Sequence, residues 1–296
     1  MLHRSTITLA AVAALLGACT QHDSNTATEV ENETGNGVTL PALPVPAPAM
    51  DRAGLLAAVA QAASAAAGGL DDGEAQRTLD GKQFEIRLRF GCSGPTELAD
   101  KTSMNWRFDQ AKRTLRLSAA PDISIEQPLP AGIAGDSFEA AEGFWVPRPW
   151  LLQQGCPVVP PPPPPPQPAK TQSPTKAAAP EASTETKVAV QKPPAPAQHR
   201  IGIAQFFSDT DSRTLRRDGR PYEATKVLEE GQAPSAQGYD LVLSGRLKRL
   251  PSGRVIACKV EQTDRPPQCI VSVDFDRVWI ERPDTKESLA EWNAGG

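Results

Sequence analysis

The chain has 296 residues, of which 30 are prolines and 5% are aromatic, and its formal net charge is -4. This length allows about one to three domains, and the proline and aromatic contents indicate that much of the chain lies outside a packed core. Basic and acidic residues nearly balance, at 31 against 35. The sequence therefore lacks the basic surface that neutralises nucleic-acid phosphates, and nucleic-acid binding is excluded.

The N-terminal segment has the order of parts found in a bacterial export signal. Arg4 precedes an apolar run over residues 7–16. The run matches the roughly 7–15 residues of a signal-peptide core and is too short to span a bilayer. Two small residues and a cysteine then follow, in the order Leu16-Gly17-Ala18-Cys19. This short motif resembles the lipobox of bacterial lipoproteins.

The lipobox resemblance implies a signal peptide over residues 1–18 and diacylation of the Cys19 thiol. Thr20 is not the aspartate associated with inner-membrane retention in that family, so the resemblance also implies an outer-membrane anchor facing the periplasm. Cleavage by a plain secretory route, without lipid, is the alternative. Residues 19–49 are polar and then rich in Pro and Ala, which predicts a disordered tether between the lipid and the folded part.

The remaining cysteines are even in number. With Cys19 lipidated, four are left in an exported chain, which predicts two disulfides with three possible pairings. The pairing that keeps each bridge within one compact segment joins Cys92 to Cys156 and Cys258 to Cys269. A zinc site would need closely spaced cysteine pairs, and this sequence has none, so we expect no metal.

Residues 50–156 are predicted to form a β-rich domain with an N-terminal helix. Asp51 can cap a helix that has one apolar face and ends at Gly68-Gly69. From Phe84 to Cys92 apolar residues alternate with charged ones, which predicts a strand with Cys92 facing the core. The same alternation on both sides of a polar turn at 109–113 predicts a β-hairpin.

Three aromatic residues are concentrated at 144–150, shortly before Cys156. They could form the last core strand and its closing turn. Alternatively, Trp145 and Trp150 could form a stacking platform for a sugar or a Pro-rich peptide, with Arg148 as a hydrogen-bond donor. Both interpretations stay open.

Residues 157–198 form a second low-complexity segment with an unbroken proline run at 160–166. The run favours extended polyproline II, which predicts a disordered, semi-rigid Pro-rich linker. A ligand for a proline-binding partner is the alternative.

Residues 199–296 are predicted to form a second β-rich domain. Its longest strand changes parity near Asp276, which predicts a β-bulge there. A capping-box pattern at 284–287 predicts a C-terminal helix. The arginines at 213, 216, 217 and 220 could contact the phosphates of anionic lipid or lipopolysaccharide. A solvated loop is the simpler interpretation, because the aspartates at 209, 211 and 218 offset their charge.

The predicted fold class is mainly β with short helices, arranged as two small disulfide-stapled antiparallel β-rich domains joined by a disordered Pro-rich spacer. A single sandwich interrupted by a disordered insert is the alternative.

The histidines argue against most hydrolytic chemistry. His3, His22 and His199 all lie outside or at the border of the predicted domains. Ser–His–Asp and Cys–His catalysis and histidine metal centres all need an imidazole held in a rigid site. The sequence also has no Gly-rich phosphate loop. We therefore assign no catalytic residue and no cofactor. Asp274 and Asp276 would suit a carboxylate-based hydrolase if they shared one strand face.

These observations predict a lipid-anchored cell-envelope protein with a non-enzymatic structural or interaction role. Its partners would be the membrane, through the lipid, and an envelope protein or cell-wall glycan. The first alternative is a periplasmic glycan- or peptide-binding module that uses Trp145 and Trp150. The second is the carboxylate-based hydrolase.

Overall fold

A computed structural model of the protein describes residues 47–97, 102–158 and 200–293. The predicted signal peptide, Cys19, most of the tether and nearly all of the Pro-rich linker lie outside these ranges. The described part is mainly β. Its elements are α1 (Arg52–Gly68), α2 (Gly73–Leu79), β1 (Gln83–Phe90), β2 (Met104–Asp109), β3 (Thr114–Ala119), β4 (Ile123–Ser124), α3 (Pro128–Ala134), β5 (Ala140–Trp145), β6 (Ile201–Phe207), a 3-10 turn (Arg213–Leu215), β7 (Tyr222–Val227), β8 (Tyr239–Leu247), β9 (Ile256–Lys259), β10 (Gln268–Glu281) and β11 (Ser288–Asn293).

The long strand β10 organises an eight-stranded sheet. Its C-terminal half pairs antiparallel with β8 and β11, and its N-terminal half pairs antiparallel with β9 and parallel with β6. Strand β1 extends the sheet beyond β8, while β5 and β4 extend it beyond β6. A separate three-stranded antiparallel sheet has the order β2-β3-β7.

The two segments that flank the Pro-rich linker share both sheets. Strand β1 pairs with β8, β5 with β6 and β3 with β7. The described residues belong to one compact unit, so they do not divide into the two domains predicted for 50–156 and 199–296. The physical reason is that apolar faces of strands on one side of the linker are buried against strands from the other side, as where Leu88 of β1 pairs with Leu241 of β8.

The main hydrophobic core lies between the large sheet, the small sheet and α1. The helix contributes Leu55 and Val59, and the small sheet contributes Trp106 and Leu117. A second, smaller core lies under α3. Alternating residues of β6 face these two cores, since Ile203 belongs to the first and Phe206 to the second.

The predicted N-terminal helix and hairpin are confirmed, and the strand predicted from Phe84 to Cys92 is confirmed as far as Phe90. Cys92 lies in the turn that follows the strand. The Asp51 carboxylate accepts a hydrogen bond from Gly54 N at 2.8 Å, and Gly69 ends the helix in the left-handed conformation with φ 63°. Within the described ranges, no helix is both long enough and apolar enough to cross a bilayer.

The predicted bulge at Asp276 is also confirmed. The pairing of β10 with β8 shifts register between Phe275 and Arg277. Gly245 faces this shift, and a Cβ atom there would lie 2.0 Å from the Asp274 carbonyl oxygen. A larger residue would therefore collide with the backbone of β10.

The predicted C-terminal helix is wrong, because the chain forms the strand β11. Arg282 N donates to Glu287 O at 2.9 Å and Lys286 N donates to Arg282 O at 3.0 Å, which closes a hairpin. A helix this short is marginal by itself. Pairing with β10 satisfies the backbone and also packs Leu289 and Trp292 against the main core.

Both predicted disulfides are present. The Cys92–Cys156 bridge has a Cα–Cα distance of 5.5 Å, and the Cys258–Cys269 bridge has one of 4.1 Å. The first joins the end of β1 to the loop after β5. The second joins directly opposed residues of β9 and β10.

The outer face of β1, β8 and β10 carries an ionic network. Arg89 binds Asp240 through two hydrogen bonds of 2.5 and 3.0 Å, and their side chains are 9% and 0% exposed. Glu281 stands opposite Asp240 and accepts from Arg87 at 2.8 Å and from Trp279 at 2.9 Å. Burial alone would raise the pKa of the Glu281 carboxyl, but these hydrogen bonds hold it below its usual value.

Candidate functional site

A cavity of about 260 Å³ lies between the large sheet and residues 213–221, which we call the arginine loop. Strands β5, β6, β10 and β11 supply one part of its lining. The other part comes from the loop and from the start of β7. The cavity therefore depends on contacts between the two segments on either side of the Pro-rich linker.

Aromatic side chains line the apolar part of this cavity. The rings of Tyr222 and Trp292 meet edge to face with centroids 5.1 Å apart, and Phe144 lies 6.0 Å from Tyr222. Burial raises the pKa of Tyr222 to about 12. Its hydroxyl group therefore stays protonated near neutral pH and can donate a hydrogen bond.

Acidic residues at β5 hold the arginine loop in place. The Glu142 carboxylate accepts from Arg217 N at 2.9 Å and from Asp218 N at 2.5 Å. Glu139, just before β5, pairs with the guanidinium of Arg216. The loop turns at Asp218 and Gly219, whose φ angles of 51° and 74° lie in the left-handed region. These contacts fix the loop backbone over the cavity.

The side chains of two arginines of the loop, Arg217 and Arg220, donate hydrogen bonds only to backbone carbonyl oxygens among the described residues. Arg217 donates to Arg220 O at 3.0 Å and to Pro221 O at 2.9 Å, and its guanidinium lies 4.2 Å from the Tyr222 ring centroid. Arg220 donates to Arg217 O at 2.8 Å and to Arg216 O at 3.3 Å. Over the described ranges, neither forms a salt bridge with a carboxylate.

Arg216 adds a largely buried positive charge to the lining of the same cavity. Its side chain is 9% exposed, and its Nε has no hydrogen-bond partner among the described residues. A buried N–H without a partner is costly. The Nε atom itself has almost no accessible surface, so the donors that a bound anion could reach are those of Arg217 and Arg220, which also line the cavity. Together with the charge of Arg216, they suit an anion.

The aromatic segment 144–150 is divided between core and surface. Phe144 is buried in the main core, and Trp145 packs against the smaller core with the Arg200 guanidinium 4.1 Å from its ring centroid. Trp150 is 63% exposed. Arg148 donates to Arg89 O, while its own carbonyl accepts from Arg52 at 3.0 Å. In the described residues, no aromatic contact joins Trp145 and Trp150.

The candidate hydrolase carboxylates have separate surroundings. Asp274 forms an ion pair with Lys248 at 2.8 Å. Asp276 is exposed and lies within the bulge rather than before it, so the condition for a shared strand face is not met. The described part of the chain holds no cluster of three or more potential metal ligands of the His, Cys, Asp or Glu type.

The sequence pattern indicated the arginine loop but not the cavity beneath it. Tyr222 and Trp292 belong to β7 and β11, neither of which was predicted as a strand. The Tyr-Glu-Ala-Thr order at 222–225 alternates in polarity, which is a weak strand signal that could have placed Tyr222 toward the core.

Comparison of the chain with protein-family models, with curated proteins and with solved structures finds no match in any of the three.

Proposed function

We propose that the protein is a lipid-anchored component of the bacterial cell envelope with a structural or interaction role rather than a catalytic one. The cysteine inventory supports this proposal. Four of the five cysteines form two disulfides, and such bonds persist mainly outside the reducing cytosol. The remaining cysteine is Cys19, which ends the lipobox-like motif.

Acylation of Cys19 would explain how a chain of this kind stays at a membrane. Each buried methylene of an acyl chain contributes about 0.8 kcal/mol, and stable anchoring needs more than one chain. The tether at 19–49 would then hold the folded unit away from the lipid headgroups, on the periplasmic side of the outer membrane. A partner there would be an envelope protein or a cell-wall glycan.

The histidine distribution supports a non-enzymatic role. All three histidines of the sequence lie outside the described ranges, so the described fold contributes no imidazole as a general base. The hydrolase alternative gains no support, because Asp274 is paired with Lys248. We expect that crosslinking in cells followed by purification recovers an envelope partner.

Replacing Cys19 with alanine should move the protein from the membrane fraction to the soluble fraction in a bacterial host, because the thiol carries the acyl chains. Fractionation and mass spectrometry of the N-terminal peptide are the measurements. The matched control Thr20→Ser keeps the cysteine and should stay with the membrane. A purified native protein with Met1 and an unmodified Cys19 thiol would contradict the proposal.

A second candidate function is glycan or peptide binding at the exposed Trp150. An indole that is 63% exposed and lies two residues from Arg148 has the components of a stacking site. If cell-wall fragments bind there, Trp150→Ala should abolish the binding measured by calorimetry. Leu152→Ala, at a side chain that is 61% exposed in the same loop, should leave it unchanged. Binding that survives Trp150→Ala rules out this site.

A further inference from the structure

We propose that the cavity beneath the arginine loop binds a small organic monocarboxylate that carries a single sugar or aromatic ring. The proposal rests on the charges, the aromatic walls and the fixed backbone of this cavity. It does not depend on the lipid anchor, so the two can fail separately.

The charge balance around the cavity selects a single negative charge. Three arginines line the cavity, at positions 216, 217 and 220, and the acidic residue of the lining is Glu142. Glu139, outside the lining, pairs with Arg216. The Asp218 carboxylate of the loop is exposed and does not line the cavity. One positive charge is therefore left. A carboxylate would restore neutrality, whereas a phosphate dianion would leave an excess negative charge beside Glu142.

The donors are already positioned for a carboxylate. The Nε and Nη2 atoms of both Arg217 and Arg220 donate to backbone carbonyls. These bonds orient each guanidinium, and the hydrogen bonds of the described residues leave both Nη1 atoms without a partner. Guanidinium groups favour planar carboxylates because their N–H groups match the two oxygens.

The volume and the aromatic lining of the cavity suit a ligand that has one ring. Typical pockets for drug-sized ligands measure roughly 300–1,000 Å³, and this cavity of about 260 Å³ is slightly smaller. Tyr222 and Trp292 offer aromatic faces and edges against which a ring can stack. The Tyr222 hydroxyl and the Gln205 amide are polar groups that can orient ring substituents.

Ligand binding to the full mature chain tests the proposal, with benzoate and glucuronate as probes in calorimetry and ligand-observed NMR. Both should bind saturably. Their neutral counterparts, benzamide and glucose, should not, and phenyl phosphate should bind more weakly than benzoate. Arg217→Gln and Arg220→Gln should each weaken benzoate binding by about tenfold or more, since a charge-assisted hydrogen bond is lost.

Arg213→Gln is the matched control. Arg213 is an exposed arginine of the same loop that does not line the cavity, so its replacement should leave binding unchanged. Circular dichroism checks that each variant is folded, and the exposed Arg220 is the safer of the two test positions. The proposal is overturned if neither carboxylate binds, if benzamide binds as well as benzoate, if phenyl phosphate binds more tightly, or if folded Arg220→Gln keeps full affinity.

Discussion

Replacing Asp240 with alanine should lower the free energy of unfolding by about 3–5 kcal/mol, because it leaves a buried guanidinium without its counter-charge. Arg89 is only 9% exposed and makes two hydrogen bonds to Asp240, which is fully buried. Gln154 donates to the same carboxylate at 3.2 Å, and Lys286 Nζ lies 3.5 Å from it. The alanine variant therefore removes the charge on which several donors converge.

Urea denaturation of the intact, oxidised protein measures this loss. Asp274→Ala is the matched control, because its ion pair with Lys248 is formed by side chains that are 43% and 41% exposed. Exposed pairs contribute about 0–1 kcal/mol. An Asp240→Ala variant no less stable than Asp274→Ala would show that the buried pair does not stabilise the fold.

A double variant separates the cost of a broken pair from the value of an intact one. Arg89→Met combined with Asp240→Val removes both charges and replaces them with apolar side chains of roughly similar size. Replacing a buried ion pair in this way is often neutral or stabilising. We therefore expect the double variant to recover most of the stability that Asp240→Ala alone loses.

Strand β1, which carries Arg89, illustrates what the sequence could and could not predict. Alternation identified β1 and placed Phe84 and Leu88 in the core, as the structure has them. The charged residues of that alternation lie on the opposite face of the strand. Arg89 on that face is buried, because it pairs with Asp240 of β8. That partner is 151 residues further along the chain. Local patterns give the face of a strand, but they do not reveal which distant strand lies beside it.

The prediction of a C-terminal helix was wrong for a different reason. The capping-box pattern at 284–287 is a genuine local signal, but the segment forms a hairpin with the open edge of β10, the strand directly before it, and a short helix cannot match that pairing energetically. The candidate cavity, like the burial of Arg89, depends on residues that are distant in the chain. The arginine loop is visible in the sequence, whereas its aromatic wall requires β7 and β11 to meet, and Tyr222 and Trp292 are far apart in the chain.

Replacing Cys92 and Cys156 together with alanine should lower the free energy of unfolding by about 4 kcal/mol in the chain-entropy description. The bridge closes a loop with a sequence separation of 64, which contains β2, β3, β4, α3 and β5. Without it, the unfolded chain gains the conformational freedom of that whole loop.

The second disulfide provides the comparison. Cys258 and Cys269 are separated by only 11 positions, so the same description gives about 3 kcal/mol for their joint replacement by alanine. The denaturant midpoint should therefore be lower for the variant without Cys92 and Cys156 than for the variant without Cys258 and Cys269. The reverse order would show that loop closure is not the main contribution.

The combined stabilisation by the two disulfides indicates in which compartment the chain can stay folded. Domains are commonly stable by about 5–15 kcal/mol, so losing both bridges removes roughly half or more of that amount. We therefore expect the chain to accumulate in folded form when it is exported and to be degraded or aggregated when it is retained in a reducing cytosol. Expression with and without residues 1–18 tests this, with thiol alkylation to report the disulfides. Equal yields of folded, fully reduced protein in the cytosol would contradict the need for an oxidising compartment.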